Sequence, residues 1–238
     1  MVRWQGVDFT VDGHEPTSAE EYYRIGLHCW DGERHREAAD FFLDVAAGAG
    51  HGAAVELLGH ADYVRGRYAS AVPRLRLSTG SPRATYYLAS LYHRGCPQAG
   101  IAQSFGEAAR WYRASAELGE PEAMLALGDL YLERLLPLTR SPAEHALEYF
   151  LAAAGRDHPY AQYRAAEIYR TLYQDAGRAA ALYRSCVDNP LTGRHALGSM
   201  MTLQSQAHLR EIAAAGTARL HQRQRDAVNP ANRRGDFL

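Results

Sequence analysis

The side chains able to do chemistry are numerous but scattered. Eleven histidines occur, at His14, His28, His35, His51, His60, His93, His145, His158, His195, His208 and His221, beside three cysteines, Cys29, Cys96 and Cys186. No two histidines stand four residues apart, and only His28-Cys29 and His93-x2-Cys96 bring a histidine near a cysteine. A structural zinc needs four convergent ligands, so the sequence assigns no metal site. The acid pairs Glu20-Glu21 and Glu120-x-Glu122 stand where helices should begin. There they complement the helix dipole. General acid–base work would ask for a dry cleft and shifted pKa values instead. Phosphate loop, dinucleotide fingerprint, HExxH and nucleophile elbow are all missing from the sequence. The expectation is no catalytic residue and no cofactor.

The elements that would position any site follow from composition and repetition. The chain has 238 residues, 47% hydrophobic and 22% charged, with a formal net charge of −1. This is ordinary globular composition, with no global field calling for nucleic acid or anionic lipid. Charge is unevenly spread: residues 1–50 are acidic and residues 190–238 basic. Every basic residue is Arg, which holds planar, forked contacts better than Lys. An odd number of distant cysteines reads as free thiols in a reducing compartment. The N-terminus offers no apolar core of signal-peptide length, and no run approaches a membrane span. The sequence therefore places the chain in the cytoplasm.

One phrase is written twice without a gap. Glu107–Tyr131 is followed at an offset of 38 by His145–Tyr169, matching Trp111 with Tyr149, Tyr112 with Phe150, Ala116 with Ala154, Pro121 with Pro159, Ala123 with Ala161 and Tyr131 with Tyr169. Weaker copies run from Ala71 to Tyr92, from Glu37 to Tyr63 and from Arg178 to Asn189. The Glu37 copy needs two inserted residues before Tyr63. Within a copy, Ala108, Trp111, Tyr112, Ser115 and Ala116 share one helical face. Gly119 or Gly155 should close that helix in the left-handed conformation, and Pro121 or Pro159 should open the next. Gly128, with Gly26, Ala89 and Ala166 in other copies, should let two helix axes approach closely.

This spacing predicts five helix pairs, all-α. The first helices start near Ala19, Gly52, Pro82, Pro121 and Pro159, the second near Arg34, Arg67, Ser104, Ser141 and Asp175. Thr17 or Ser18 should cap the first helix, with Glu20 or Glu21 reciprocating, and Asp31-Gly32 should end it. Four regions are expected: an N-terminal arm or hairpin over 1–17, a repeat solenoid over 18–189, one or more capping helices over 190–228, and a disordered tail over 229–238.

The pattern A-x3-LG-x2-Y followed by A-x2-WY-x3-A-x2-G resembles the Sel1-like repeat family, relatives of the tetratricopeptide repeats. It is carried by Ala123, Leu127, Gly128 and Tyr131 with Ala108, Trp111, Tyr112, Ala116 and Gly119. The usual G-x-G-V loop is missing, so the units are degenerate. The resemblance implies an α–α superhelix whose inner wall is lined by the first helix of each pair. It also implies a protein-binding role, one form of which is a bacterial antitoxin or immunity protein that blocks a cognate effector.

Positions 5, 9 and 12 of each first helix should face the concavity. They are Tyr23, Leu27 and Trp30; Tyr86, Ser90 and His93; Leu125, Asp129 and Leu132; Tyr163, Glu167 and Arg170. The second pair loses the frame around Gly59 and contributes none. Tyr, Trp and Arg carry most interface energy, and the expected partner-binding set is Tyr23, Tyr86, His93, Asp129, Tyr163, Glu167 and Arg170. The leading reading is a non-catalytic scaffold for a partner protein or peptide. Alternatives are a signalling or assembly adaptor, an enzyme pairing His93 with Asp129 or Glu167 in the groove, and a nucleic-acid binder using Arg210, Arg219, Arg223 and Arg225.

Overall fold

The computed structural model describes residues 2–4, 7–11, 14–30, 36–194 and 197–228. The expected turn at Asp31-Gly32 and the expected tail over 229–238 lie outside them. A hairpin of β1 (Val2–Trp4) and antiparallel β2 (Val7–Phe9) opens the chain. Helices follow: α1 (Ala19–Trp30), α2 (Arg36–Gly48), α3 (Gly52–Val64), α4 (Tyr68–Leu77), α5 (Pro82–Arg94), α6 (Phe105–Glu117), α7 (Pro121–Leu132), α8 (Pro142–Ala154), α9 (Pro159–Thr171), α10 (Ala176–Asp188) and α11 (Gly198–Val228). The fold is all-α, built from helix pairs. Two compact units divide it, residues 1–130 and 131–238, the division falling in the last turn of α7.

The helix starts follow from capping chemistry. Glu21 N–H donates to Ser18 Oγ at 3.3 Å, and Glu21 Oε2 accepts from Ser18 N–H at 3.1 Å and Thr17 N–H at 2.7 Å. Ser18 is thus the cap of a reciprocal box. Ser141 and Glu144 form the same box at α8. The left-handed stop is found at Gly119, with φ +98°. At α8 the expectation fails: Gly155 is right-handed, with φ −66°, and Asp157 takes the left-handed turn at φ +57°. Asp157 lies 38 residues after Gly119, so the repeat keeps the turn and changes the residue. Asp tolerates this conformation better than most side chains.

Within the first unit α1 packs on α2, α3 on α4 and α5 on α6. The contact is made by one small residue, always the eighth of the first helix. A methyl added at Gly26 would lie 2.7 Å from Leu43 Cγ, and one at Gly59 only 3.2 Å from Arg74 Cβ. Ala89 holds the same place in α5 and is fully buried. The core of these three pairs includes Phe42, Leu43, Leu58, Leu75, Leu88 and Leu91, all at most 1% exposed. Of the aromatic pairs expected in the core, only the second member is: Tyr112 is 3% and Phe150 0% exposed. Trp111 and Tyr149 are half-buried, and Trp111 lies under the Arg110 guanidinium.

The second pair also has a buried charge. Asp62 is 1% exposed and pairs with Arg74 and with Arg67 at 2.6 Å, while Arg65 reaches Asp40 of α2 at 2.6 Å. A buried carboxylate persists only when paired in this way. It occupies position 11 of α3, where α5, α7 and α9 carry Tyr92, Tyr131 and Tyr169. That substitution hid the frame. Aligning Tyr63 on the other tyrosines demands inserted residues, whereas α3 runs from Gly52 without a break and places Gly59 eighth. The second pair is therefore in register, and its positions 5, 9 and 12 are Glu56, His60 and Tyr63.

In the second unit α8 packs on α9, α9 on α10, and the first half of α11 on α10 and α9. Met201 and Ser205 of α11 are at most 1% exposed, but from Ala213 to Arg225 the helix is exposed throughout.

The close approach at Gly26 makes a direct prediction. Gly26→Leu should cost about 2 kcal/mol by overpacking and lower the melting temperature by several degrees. Gly48→Ala, at a site with no atom within 4 Å of an added methyl, should cost nothing. Thermal denaturation followed by circular dichroism distinguishes the two.

Candidate functional site

The first helices of the first unit bring a ladder of rings to one face. Tyr87 stacks with both His60 and Tyr63, with ring centroids 5.3 Å and 4.1 Å away and planes within 22° and 20° of parallel. Tyr86 continues the row at 5.7 Å from Tyr87 and 5.8 Å from Tyr112. Tyr112 Oη contacts His93 Nδ1 at 3.3 Å and Ser90 Oγ at 3.4 Å. Tyr23 stacks on His51 at 4.2 Å. Trp30 lies under Arg65, 5.5 Å from the guanidinium to the ring centroid. Burial pushes the Tyr86, Tyr87 and Tyr112 phenols up. Burial, and then the nearby Arg83, push the His60 imidazolium pKa down. The ladder is uncharged at neutral pH, as stacking in a partly dry wall requires.

Beside the ladder is a cleft of about 270 Å³. The buried Leu75 and Ala84 line it with the half-buried Tyr23, His60 and Tyr87 and with Leu27, and the exposed Glu56 and Arg83 stand at its rim. Sequence reasoning named Tyr23 and Leu27 here but missed Glu56, His60, Arg83 and Tyr87. The available signal was Gly59, seven residues after Gly52 as Gly26 is after Ala19.

The acid pair before α7 behaves differently from a simple dipole partner. Glu120 is 7% exposed. Burial, then a hydrogen bond and repulsion from Glu122, push its carboxyl up to about 7, against a smaller opposing pull from Arg83. Asp129 is half-buried on α7.

In the second unit the expected residues join a polar cluster. Arg170 Nη2 meets Glu167 Oε2 at 2.9 Å, Arg170 Nε donates to Tyr183 Oη at 3.1 Å, and the Tyr183 hydroxyl donates to Glu167. Burial pushes Glu167 up, but Arg170 and Tyr183 outweigh it, and the carboxyl titrates below its usual range. Helix α11 covers this cluster: His208 lies 3.5 Å from Glu167, and Tyr163 Oη donates to Gln204 at 2.9 Å. Among the described residues no three His, Cys, Asp or Glu side chains gather as metal ligands. Nor is any helix among them long and apolar enough to cross a membrane.

Stacked helix pairs with a small eighth residue define a class, the α-helical repeat proteins. The chain has the Sel1-like repeat fold. It aligns with a protective antigen of uropathogenic Escherichia coli that displays this fold, at TM-score 0.66 and 26% identity, over 84% of this chain and 42% of that one. The chain therefore spans less than half the length of that protein. A Sel1 repeat protein from Oxalobacter formigenes aligns at TM-score 0.62 and 18% identity, over 84% and 88% of the two chains. An immunity protein from Pseudomonas aeruginosa aligns more loosely, at TM-score 0.45 and 20% identity, over 84% and 85%. No family model and no curated protein sequence matches the chain.

The acid pair yields a pH prediction. Folded Glu120 keeps its proton to about pH 7, while a free carboxyl releases it near 4.5. The folded state binds more protons in that window, so stability falls as pH rises from 4.5 to 7 and is level above. Glu120→Gln should flatten this fall and melt higher than the parent at pH 8. Melting curves at pH 5 and pH 8 provide the check, and equal melting of parent and variant at pH 8 would refute it.

Proposed function

We propose that the chain is a non-catalytic protein-binding module whose first helices form the recognition wall. The observation that carries this reading is the ladder of Tyr63, Tyr87, His60 and Tyr86 on one face of α3 and α5, backed by the buried Tyr112 of α6, with Tyr23 beside it. Rings fixed against one another lose little freedom when a partner covers them, and Tyr combines large area with a polar tip. On this reading Tyr23, Tyr86, His93 and Asp129 serve the wall in the first unit. Tyr163, Glu167 and Arg170 serve it in the second, where α11 already engages Tyr163 and Glu167. Residues 18–189 form the repeat body, with 1–17 as its arm and 190–228 as its cap.

The fold supports a scaffold role in general. A narrower form makes the partner an effector and this chain its immunity protein, acting in the cytoplasm; it rests on the sequence resemblance. Affinity capture from the native host tests the common core of both. Tyr23→Ala with Tyr86→Ala should reduce the captured partner by at least about tenfold, since truncating one central aromatic anchor costs about 2 kcal/mol or more. Leu77→Ala, at a side chain 78% exposed on α4, should leave it unchanged. Equal loss from both variants, or from neither, would remove the wall from the account.

A further inference from the structure

The cleft beside the ring ladder has a chemical character of its own. Its volume of about 270 Å³ lies below the roughly 300–1,000 Å³ of cofactor and drug-sized sites, and suits one large side chain. Floor and sides are apolar or aromatic, from Leu75, Ala84, Leu27, Tyr23 and Tyr87. The side wall is stiffened, because Tyr87 stacks with both Tyr63 and His60.

The rim supplies the direction. Arg83 is exposed, and among the described residues no carboxylate lies within ion-pair distance of it. Two acids lie near it without contacting it. Glu56 accepts a hydrogen bond from the Ser81 hydroxyl at 2.6 Å, and Glu120 is hydrogen-bonded to Glu122. At His60 the influence of Arg83 exceeds the opposing influence of Glu56. An apolar pocket with an uncommitted guanidinium at its mouth complements an apolar group carrying a negative charge. Arg also binds carboxylates through two parallel N–H groups.

We propose that this cleft is the specificity pocket of the recognition wall, and that it takes one Leu- or Phe-sized side chain of a partner protein next to a carboxylate that meets Arg83. This inference rests on the protein-binding reading above and narrows it: the partner presents an apolar residue beside an acid, and the acid fixes the orientation.

The probe pair N-acetyl-L-leucine and N-acetyl-L-leucinamide isolates the charge, since the two differ only in carboxylate against amide. Titrated into the full chain and followed by nuclear magnetic resonance, the acid should bind in the low millimolar range and the amide about tenfold more weakly, as a charge-assisted contact implies. Arg83→Gln should bring the two to equal affinity. Ala53→Leu, which fills the mouth from an exposed position, should abolish both. Binding of neither probe, equal binding of both to the parent, or an acid preference that survives Arg83→Gln would each overturn the proposal. The two readings fail separately. Acid-selective binding with no captured protein would sink the protein-binding function and leave the pocket. Protein capture that depends on Tyr23 and Tyr86, yet is indifferent to Ala53→Leu, would sink the pocket alone.

Discussion

Close approach of two helices at a single small residue is the constraint on which the rest depends. At position 8 of each first helix the chain has Gly26, Gly59, Ala89, Gly128 and Ala166. At Gly26 and Gly59 an added methyl would crowd the second helix, most of all at Gly26, where it would lie 2.7 Å from Leu43 Cγ. Once that seam is closed, helical periodicity leaves no freedom to the other positions. The residue just before the small one, position 7, packs on the same side, and Leu58, Leu88 and Leu127 are buried there. Positions 5 and 9 lie beside the seam, and there Tyr23, His60 and Tyr86, all partly exposed, form a wall.

How much of this was legible depends on how far each residue type commits itself. Helix starts at Pro82, Pro121 and Pro159 were readable, because proline at the first turn carries unambiguous local chemistry; Ser81 and His158 cap two of them. The stop at Asp157 was not, since left-handed backbone is signalled by glycine and here the turn uses Asp. The second pair was misread for one physical reason. Its position 11 carries Asp62, a buried carboxylate made tolerable by Arg67 and Arg74 from the following turn and helix. A pairing between distant residues leaves no trace in local periodicity. The misreading removed Glu56 and His60 from the expected wall, and these two line its cleft.

Charge in this protein follows the same division between local and distant terms. Glu21 was read as a helix-start acid, Glu144 plays the same part at α8, and capping hydrogen bonds hold both carboxyls below their usual range. Glu120 has the same sequence signature and the opposite behaviour, because burial beside Glu122 penalises its charge. Sequence spacing gives the cap; only packing decides which carboxyl is dry. In the second unit Glu167, Arg170, Tyr183 and His208 satisfy one another under α11, whereas the rim of the first unit leaves Arg83 without a carboxylate in contact. That contrast, rather than any count of aromatic residues, separates a wall already covered by the chain itself from one open to another molecule.

The register of α3 is the point on which both seam and wall turn, and cysteine accessibility measures it directly. The native cysteines are buried and free, giving a silent background to maleimide labelling of the folded chain. The account predicts rapid labelling of Glu56→Cys and His60→Cys and protection of Leu58→Cys and Ala61→Cys. Labelling of Ala61→Cys with protection of His60→Cys would mean that α3 is turned away from its partner helix, and the wall would have to be drawn elsewhere.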